Sequence, residues 1–331
     1  MRHLLLVWVS LLAIIGVVGL VATPPAAGQS SSSGPKTFHT PWGDPDLQGT
    51  WTASGATPME RPDKYQGIET LRDEQLAQEV AQLAREAVER DERGPRPGNP
   101  GTYNSFWIDR GQRTNRTSMV VDPPDGRFPP LTPAGQDAKS FRLKAGKADS
   151  WEDRHIWERC VTRGGMPNAM FPRGYNNNAL ILQTPGYVVI LLEEIHETRI
   201  IPLDGRPPLG GNIRQWMGDS RGHWDGDSLV VVTRNHDHRV SALQPWSNFD
   251  SRSGSGEALT LVERFTRQDA DALEYEIRVH DPQMYTRPWK VAYPFERTTN
   301  LLYEYECHER NRGMFGILSG GRADEAAAES K

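Results

Sequence analysis

Short runs of alternating apolar and polar residues fill the second half of the chain. In residues 273–279, four apolar side chains alternate with three charged ones. This period of two is typical of a β-strand with one buried face and one face in water. Because unpaired strand edges attract other strands, a chain built from many such strands must protect its edges, and closing the sheet into a barrel does so.

Seven strands are predicted after residue 178, at residues 179–183, 187–192, 198–203, 229–233, 259–265, 273–279 and 301–307. Asp204-Gly205 and Asp225-Gly226 supply tight turns between neighbours, which favours antiparallel hairpins over βαβ units. Residues 45–52 are predicted to form a turn that feeds a first strand. The predicted fold class is therefore mainly β, as an antiparallel lipocalin-like barrel, with a β-sandwich as the alternative.

One helix is predicted over about residues 71–90, with Thr70 as its N-cap. Leu76, Val80, Leu83 and Ala87 recur there at helical spacing, so the helix is expected to lie on the body with its charged face in water. Segments 94–101 and 122–133 are rich in Pro and Gly and are predicted to be irregular. Helix and segments together form an N-terminal covering region.

The N-terminus has the three parts of a secretory signal. A positive start is followed by apolar residues 4–22 and by small residues up to Gln29. We predict a signal peptide over 1–28, a flexible tether over 29–41, a single β-rich domain over 42–320 and a disordered tail over 321–331. The chain is then periplasmic or extracellular, without stable membrane insertion. An uncleaved anchor is the alternative, because the apolar run is long.

The chain has two cysteines, Cys160 and Cys307. Export to an oxidising compartment favours a disulfide between them. Two buried free thiols are the alternative, because a free cysteine behaves as a small hydrophobic residue.

Charge and motif content narrow the classes of function. The net charge is -5 with both signs interspersed, which disfavours nucleic acid as a partner. The sequence has no dinucleotide loop, Walker loop, HExxH or CxxCH motif, so no cofactor is predicted. His236 and His238 would face one side of an extended chain, as metal ligands must, but histidines beside Asp in a polar loop are usually solvated, and no metal site is predicted.

The densest mixture of Arg, Asp, His and Trp lies at residues 214–224. Such side chains can orient a ligand and move a proton. We predict Asp219 and His223 as catalytic groups, together with Glu194 and His196 at the end of a buried strand. The predicted ligand-binding residues are Arg214, Trp216, Arg221, Trp224, Arg287, Trp289 and Tyr303. For any single one of these residues, packing or capping at a barrel mouth is the alternative.

Two serine motifs occur in the same region. Residues 218–222 match GxSxG, and residues 226–229 match GDSL. A nucleophile elbow needs a helix directly after the serine, whereas a strand is predicted here. GDSL hydrolases carry an Asp-x-x-His motif late in the chain, and no such motif follows residues 226–229 here. We therefore interpret residues 218–222 as a polar hairpin loop and residues 226–229 as a turn that enters a strand.

Longer motifs are spread over most of the chain: PDLQGTWT (45–52), YNSFW (103–107), RTSMVVDPPDGRFPPLTP (116–133), QTPGYVVI (183–190), RIIPLDGRP (199–207), GDSRGHWDGDSLVVV (218–232) and YEYECHE (303–309). In these motifs the chain resembles a group of exported bacterial proteins of unassigned function. Its Gly49-Thr50-Trp51 is similar to the first strand of lipocalins. The resemblance implies export and one folded unit, and it implies no catalytic residues.

The expected function is that of an exported, cofactor-independent enzyme of lyase, isomerase or hydrolase type. It would act on a small organic molecule in a barrel cavity. A periplasmic protein that binds or carries a small ligand is the first alternative, because the aromatic content suits either use. An envelope assembly component is the second alternative.

Overall fold

The computed structural model describes residues 38–93, 104–109, 111–137, 150–154, 156–240, 256–309 and 311–330. The predicted signal peptide at 1–28, the tether up to residue 37 and the Pro- and Gly-rich segment 94–101 lie outside these residues.

Within the described residues, ten strands form one sheet that curls into a nearly closed antiparallel barrel. The strands are β1 (Gly49–Thr52), β2 (Val120–Asp122), β3 (Asn178–Thr184), β4 (Tyr187–Leu192), β5 (Thr198–Pro202), β6 (Asp219–Asp225), β7 (Ser228–Arg234), β8 (Thr260–Arg267), β9 (Ala272–His280) and β10 (Trp289–Arg297). Nine of them follow the path β5-β4-β3-β1-β10-β9-β8-β7-β6, and β2 pairs with β10. The predicted mainly β barrel is confirmed, and the sandwich alternative is wrong, because one continuous path joins the strands.

The predicted turn at Asp225-Gly226 joins a hairpin, whereas the one predicted at Asp204-Gly205 does not, because residues 203–218 connect β5 to β6 and these two strands do not pair. Gly226 lies in the two-residue turn between β6 and β7 with a φ of 59°. Two-residue hairpin loops need such left-handed backbone, which glycine adopts without steric cost. Strand β1 is out of sequence order in the sheet, because it lies between β3 and β10. The N-terminal strand therefore joins the two halves of the sheet.

Four points of the strand prediction need correction. Residues 301–307 contain no strand, β2 and β10 were not predicted, and the predicted hairpin loop at 218–222 lies mostly in β6. β10 was not predicted because it contains Pro294, and proline rarely lies inside a sheet. Ala292 N donates to Met119 O, so the nitrogen of Pro294 faces the same side of β10. That position falls between the β1 ladder and the β2 ladder, where no hydrogen bond is lost.

The barrel lumen is filled by inward-pointing side chains. Trp51, Phe265, Tyr275 and Phe295 are buried, and the Tyr275 ring centroid lies 4.8 Å from that of Phe265 and 5.3 Å from that of Phe295. Burial of a large apolar side chain stabilises a fold by roughly 2–3 kcal/mol. This aromatic layer is therefore a main source of stability.

The barrel closes at a seam between β5 and β6. Eight antiparallel steps separate these strands along the sheet, so they run in the same direction. Within the part of the chain that the structure describes, no backbone ladder joins them, and side chains meet instead. A Cβ atom on Gly222 would lie 2.8 Å from Ile201 Cγ2 and 2.7 Å from Leu203 Cδ2. Only glycine allows β6 to approach β5 so closely.

The predicted helix is present as α1 (Asp73–Arg93), and none of its residues is buried. Its partly buried side includes Leu76, Glu79, Leu83 and Arg90, at helical spacing. Tyr65 Oη donates to Glu79 Oε1 over 2.7 Å. The helix thus lies against the covering region with most of its surface in water.

A second helix, α2 (Arg312–Glu329), lies where a disordered tail was expected from residue 321. The Asn311 side chain caps it by accepting from Met314 N, and Arg322 pairs with Glu325 one turn later. Capping, this pair and the alanines at 326–328 all favour helix. No helix in the described parts of the chain is long and apolar enough to cross a membrane.

The predicted disulfide between Cys160 and Cys307 is confirmed. It ties residues 301–307 to the irregular chain around Cys160. Asn311 adds a second tie, because its Nδ2 donates to Glu158 O over 2.7 Å. The segment predicted as a strand therefore follows the outside of the barrel instead of entering the sheet.

Candidate functional site

The loop between β4 and β5 has strained backbone. Ile195 and His196 have φ values of 59° and 55°, and such left-handed conformations cost about 1–3 kcal/mol each for residues other than glycine. Backbone hydrogen bonds hold the loop, since Leu192 N donates to Glu197 O over 2.8 Å. As a result His196 is exposed, whereas Glu194 and Glu197 are buried.

Glu194 and Glu197 line a small cavity at this end of the barrel, which we call the mouth cavity. Its polar wall is formed by Arg163, Glu194, Glu197 and residues 176–178, and its apolar wall by Ala53, Ala169, Met170, Phe171, Ala179, Leu192 and Phe295. It has room for about one water-sized molecule. Asn176 and Asn178 are only partly buried, so these two side chains lie on the solvent side of the cavity.

Glu197 is a titratable group of this cavity whose pKa lies near neutral pH. Burial raises its pKa to about 7, although hydrogen bonds from the Thr162 side chain and the Arg163 backbone and the charges of Arg163 and Arg199 oppose the rise. Its Oε2 atom is buried and has no hydrogen-bond partner within the described chain. A buried carboxyl group that is half ionised near pH 7 is suited to move a proton.

Two arginines, buried Arg163 and partly buried Arg173, accompany the carboxyl groups. Arg163 forms an ion pair with Glu194 inside the mouth cavity, and burial together with nearby Arg173 lowers the pKa of Arg163. Burial also lowers the pKa of Arg173, to about 10. Both guanidinium groups stay protonated at neutral pH, because even these lowered pKa values lie above it. The site therefore combines positive charge with one carboxyl group close to its pKa.

Asparagine side chains hold residues 173–178 in place, and this segment forms the rim of the mouth cavity. Arg173 N donates to Asn177 Oδ1, and Asn177 Nδ2 donates to Arg173 O, both over 2.8 Å. Asn178 Nδ2 donates to Glu193 Oε2 over 2.8 Å. These bonds join residues 173–178 to the β4–β5 loop, so the two halves of the polar wall are held together.

The structure brings together only some of the predicted catalytic residues. Glu194 lines the mouth cavity. His196 lies on the same loop, but it points outward and accepts from Tyr305 N at Nε2 over 2.8 Å. Asp219 and His223 lie on the outer face of β6, four residues and roughly 13 Å apart. Asp219 accepts from Leu209 N and from Arg221, and His223 is exposed.

The predicted ligand-binding residues are spread over the surface and core. Arg214 is exposed and lies 3.6 Å from a Glu257 carboxyl oxygen, and Trp216 lies under the Arg239 guanidinium at 4.1 Å. Arg221 pairs with Asp219 on the outer face of β6.

The remaining four lie in separate places. Trp224 points inward near the end of β6 away from the mouth cavity. Arg287 is exposed and pairs with Asp122 at 2.6 Å, and Tyr303 is exposed. Trp289 is fully buried in the core. These residues therefore do not form one pocket.

Neither serine motif has the geometry of a nucleophile. Ser220 points into the barrel, where it shares a hydrogen bond of 3.0 Å with Thr233 Oγ1 and accepts from Arg199. Ser228 shares a hydrogen bond of 2.7 Å with Thr266 Oγ1. Both hydroxyl groups bind strand neighbours.

The two candidate metal histidines do not share a face. His236 is fully buried, and burial together with the charge of Arg199 lowers its pKa to about 3. His238 is exposed beside Asp237. In the described parts of the chain, no three His, Cys, Asp or Glu side chains are grouped as metal ligands.

Sequence reasoning missed Glu197, Arg163 and Arg173. Glu197 follows Glu193 and Glu194 in a run of acids after a buried strand, which was the one signal for it. Arg163 and Arg173 lie in irregular chain without hydrophobic periodicity. Only the tertiary fold joins these residues.

Comparison with known proteins does not extend this description. No protein-family model matches the chain, and no curated protein matches it. The site therefore has to be interpreted from its own chemistry.

Proposed function

We propose that the chain is an exported, cofactor-independent enzyme that uses Glu197 as a general acid–base group on a small organic molecule. The observation that carries this proposal is a buried carboxyl group with a pKa of about 7 and an unpaired Oε2 atom, in a cavity that it shares with Arg163. Lyase, isomerase and hydrolase reactions all need a group that takes up and returns a proton near neutral pH.

The neighbours of Glu197 have distinct tasks in this proposal. Arg163 supplies positive charge where negative charge develops on the substrate. Glu194 holds Arg163 in place through their ion pair. The mouth cavity has room for about one water-sized molecule, so it receives only the reacting group of a substrate or a water molecule. The rest of the substrate lies outside, past Asn176 and Asn178.

Export is the other part of the proposal. The disulfide between Cys160 and Cys307 supports it, because such bonds persist in oxidising compartments. The charge and apolar pattern of residues 1–28 is that of a signal peptide. Direct sequencing of the N-terminus of the protein recovered from the periplasm tests this part.

The test of activity needs a carboxyl group that differs only in its position. Glu193 lies on the same loop and is buried, but it does not line the mouth cavity, and a glutamine there keeps an oxygen that can accept from Asn178. We would incubate wild-type protein, Glu197→Gln and Glu193→Gln with small esters, lactones and hydroxy acids, and follow products by proton NMR. We expect turnover by the wild type and Glu193→Gln, and its loss in Glu197→Gln. Turnover that survives in Glu197→Gln overturns the assignment.

Native mass spectrometry of the purified protein tests the alternative of a binding or carrier protein. A copurified organic molecule that the protein releases unchanged, without any product from the wild type, favours that alternative. A molecule that disappears with wild-type protein and persists with Glu197→Gln favours the enzyme.

A further inference from the structure

A second concave feature lies outside the barrel, between α1 and residues 55–59, 108–109 and 172–174. It is an open groove of about 660 Å³, which is within the usual size of a site for a small organic ligand. We call it the helix groove. Glu194, Glu197 and Arg163 do not line it, so it is separate from the mouth cavity.

The walls of the helix groove are mainly apolar. Leu83 of α1 faces Met59, Met119 and Ile108 across it. Methionine side chains adapt to ligands of different shape, because they are flexible and polarisable. An amphipathic helix normally gains its stability by burying its apolar face. α1 buries none of its residues, so an apolar occupant of this groove would complete its packing.

One end of the helix groove carries a guanidinium group that forms no ion pair within the described part of the chain, although the charge of Glu197 acts on it from beyond ion-pair distance. Arg173 lines the groove, and its Nη2 atom donates to Asn168 O over 3.2 Å. Its Nε atom is buried and has no acceptor in the described part of the chain. A buried charge normally has an ionic partner, because leaving it unpaired is costly. The Arg173 guanidinium is therefore placed to bind an anion.

The other charges of the helix groove leave it positive. Arg90 is a second cation on its wall. Asp109 is the acid there, and its carboxylate is already engaged, since it accepts from Ser54 Oγ and from Gly111 N. Positive charge beside apolar walls is complementary to a molecule with one anionic end and an apolar chain.

We propose that the helix groove binds an amphipathic monocarboxylate of the medium-chain fatty-acid class. The carboxylate lies at Arg173, and the hydrocarbon chain lies along Met59, Met119 and Leu83. This inference does not depend on the acid–base function of the mouth cavity, so each proposal fails or stands alone.

The test uses three ten-carbon probes that differ in their head groups. Isothermal titration calorimetry at pH 7.5 measures binding of decanoate, decanol and decylammonium to the wild-type protein. We expect one decanoate per chain, bound at least about tenfold more tightly than decanol, since a hydrogen bond to a charged group contributes this much. Decylammonium is expected to bind most weakly. Equal affinity for decanoate and decanol overturns the proposal.

Variants and a spectroscopic readout locate the site. Arg173→Gln is expected to remove the preference for decanoate, whereas Arg85→Gln, on an exposed part of α1, keeps it. Because Arg173→Gln loses the side-chain contacts to Arg163 O and Asn168 O and its fold is at risk, decanoate is also titrated into wild-type protein with labelled methionine methyl groups. Met59 and Met119 should shift, and Met314 on α2 should not.

Other occupants give a different result. If a second copy of the chain or another part of this chain fills the helix groove, the wild-type protein takes up no decanoate, and the proposal is overturned. Shifts at methionines outside the groove, with Met59 and Met119 unchanged, overturn it as well.

Discussion

Arg199 and Glu263 form a doubly hydrogen-bonded ion pair inside the barrel. Arg199 Nη1 lies 2.8 Å from Glu263 Oε1, and Nη2 lies 2.5 Å from Oε2. Both side chains are almost completely shielded from water. Tyr275 Oη donates to Glu263 as well, over 2.8 Å, and Arg199 reaches across the seam to Ser220 on β6. The pair is therefore the centre of a polar network within an apolar core.

Breaking this pair from one side should be more harmful than removing it. Glu263→Gln leaves a buried guanidinium without its counter-charge, and we expect a loss of about 3–5 kcal/mol in the free energy of unfolding. The double variant Arg199→Met/Glu263→Gln removes both charges and should lose less than the sum of the single changes. Urea unfolding of the four proteins measures this. Additive losses would show that the two charges do not interact.

Glu197 should make the protein less stable at high pH. Its pKa is about 7 in the folded state and about 4.5 in the unfolded chain, so its contribution is complete below pH 4.5 and is lost as the pH rises through 7. Glu197→Gln is therefore expected to be more stable than the wild type at pH 8, by up to about 3 kcal/mol, and similar to it at pH 4.5. Urea unfolding at both pH values measures this, and Glu193→Gln, which retains Glu197, should still lose stability as the pH rises.

His236 should act in the opposite direction. Its pKa is about 3 in the folded state and 6.5 in the unfolded chain, so its contribution is complete above pH 6.5 and is lost as the pH falls towards 3. We expect the wild type to lose about 3 kcal/mol between pH 6.5 and 4 through this group. His236→Gln should weaken the acid dependence, whereas exposed His238→Gln should not. Thermal unfolding across this range would contradict the prediction if the three proteins responded alike.

The disulfide should stabilise the fold and hold the segment beside the β4–β5 loop. It closes a chain loop with a sequence separation of 147 residues, and we expect Cys160→Ser/Cys307→Ser to lower the free energy of unfolding by about 2–5 kcal/mol. Hydrogen exchange should become faster at Tyr305 N, which donates to His196. Unchanged exchange there would mean that other contacts hold the segment. β8 serves as the internal control, because it pairs with β7 and β9 and forms no ladder with the β4–β5 loop or with residues 301–307.

The strands that sequence analysis identified are those with apolar side chains on the inner face. β6 was missed because its inward-pointing residues are Ser220, Gly222 and Trp224, which show no hydrophobic alternation. The structure explains this composition. The Ser220 hydroxyl group accepts a hydrogen bond from Arg199. Gly222 has no side chain that would collide with Ile201 of the neighbouring strand. Tertiary contacts across the seam thus replaced the local pattern that predicts a strand.

The candidate site was predictable only in part for a similar reason. Glu194 was found because it follows a buried strand. The burial of Glu197 depends on a loop that passes through left-handed backbone at Ile195, and β-branched residues give no signal for that conformation. Arg163 comes from irregular chain and reaches Glu194 through the fold alone. No short-range pattern connects these residues.

The diameter of the barrel is fixed less firmly at the seam between β5 and β6 than elsewhere on the path. Every other join on the path is a backbone ladder, which fixes the distance between neighbouring strands. At the seam, Gly222, Ile201 and Arg199 make the contact, and side chains can slide or rotate where ladders cannot. A cylinder with one such join could widen there without breaking any strand pairing, at the cost of the side-chain contacts across the seam.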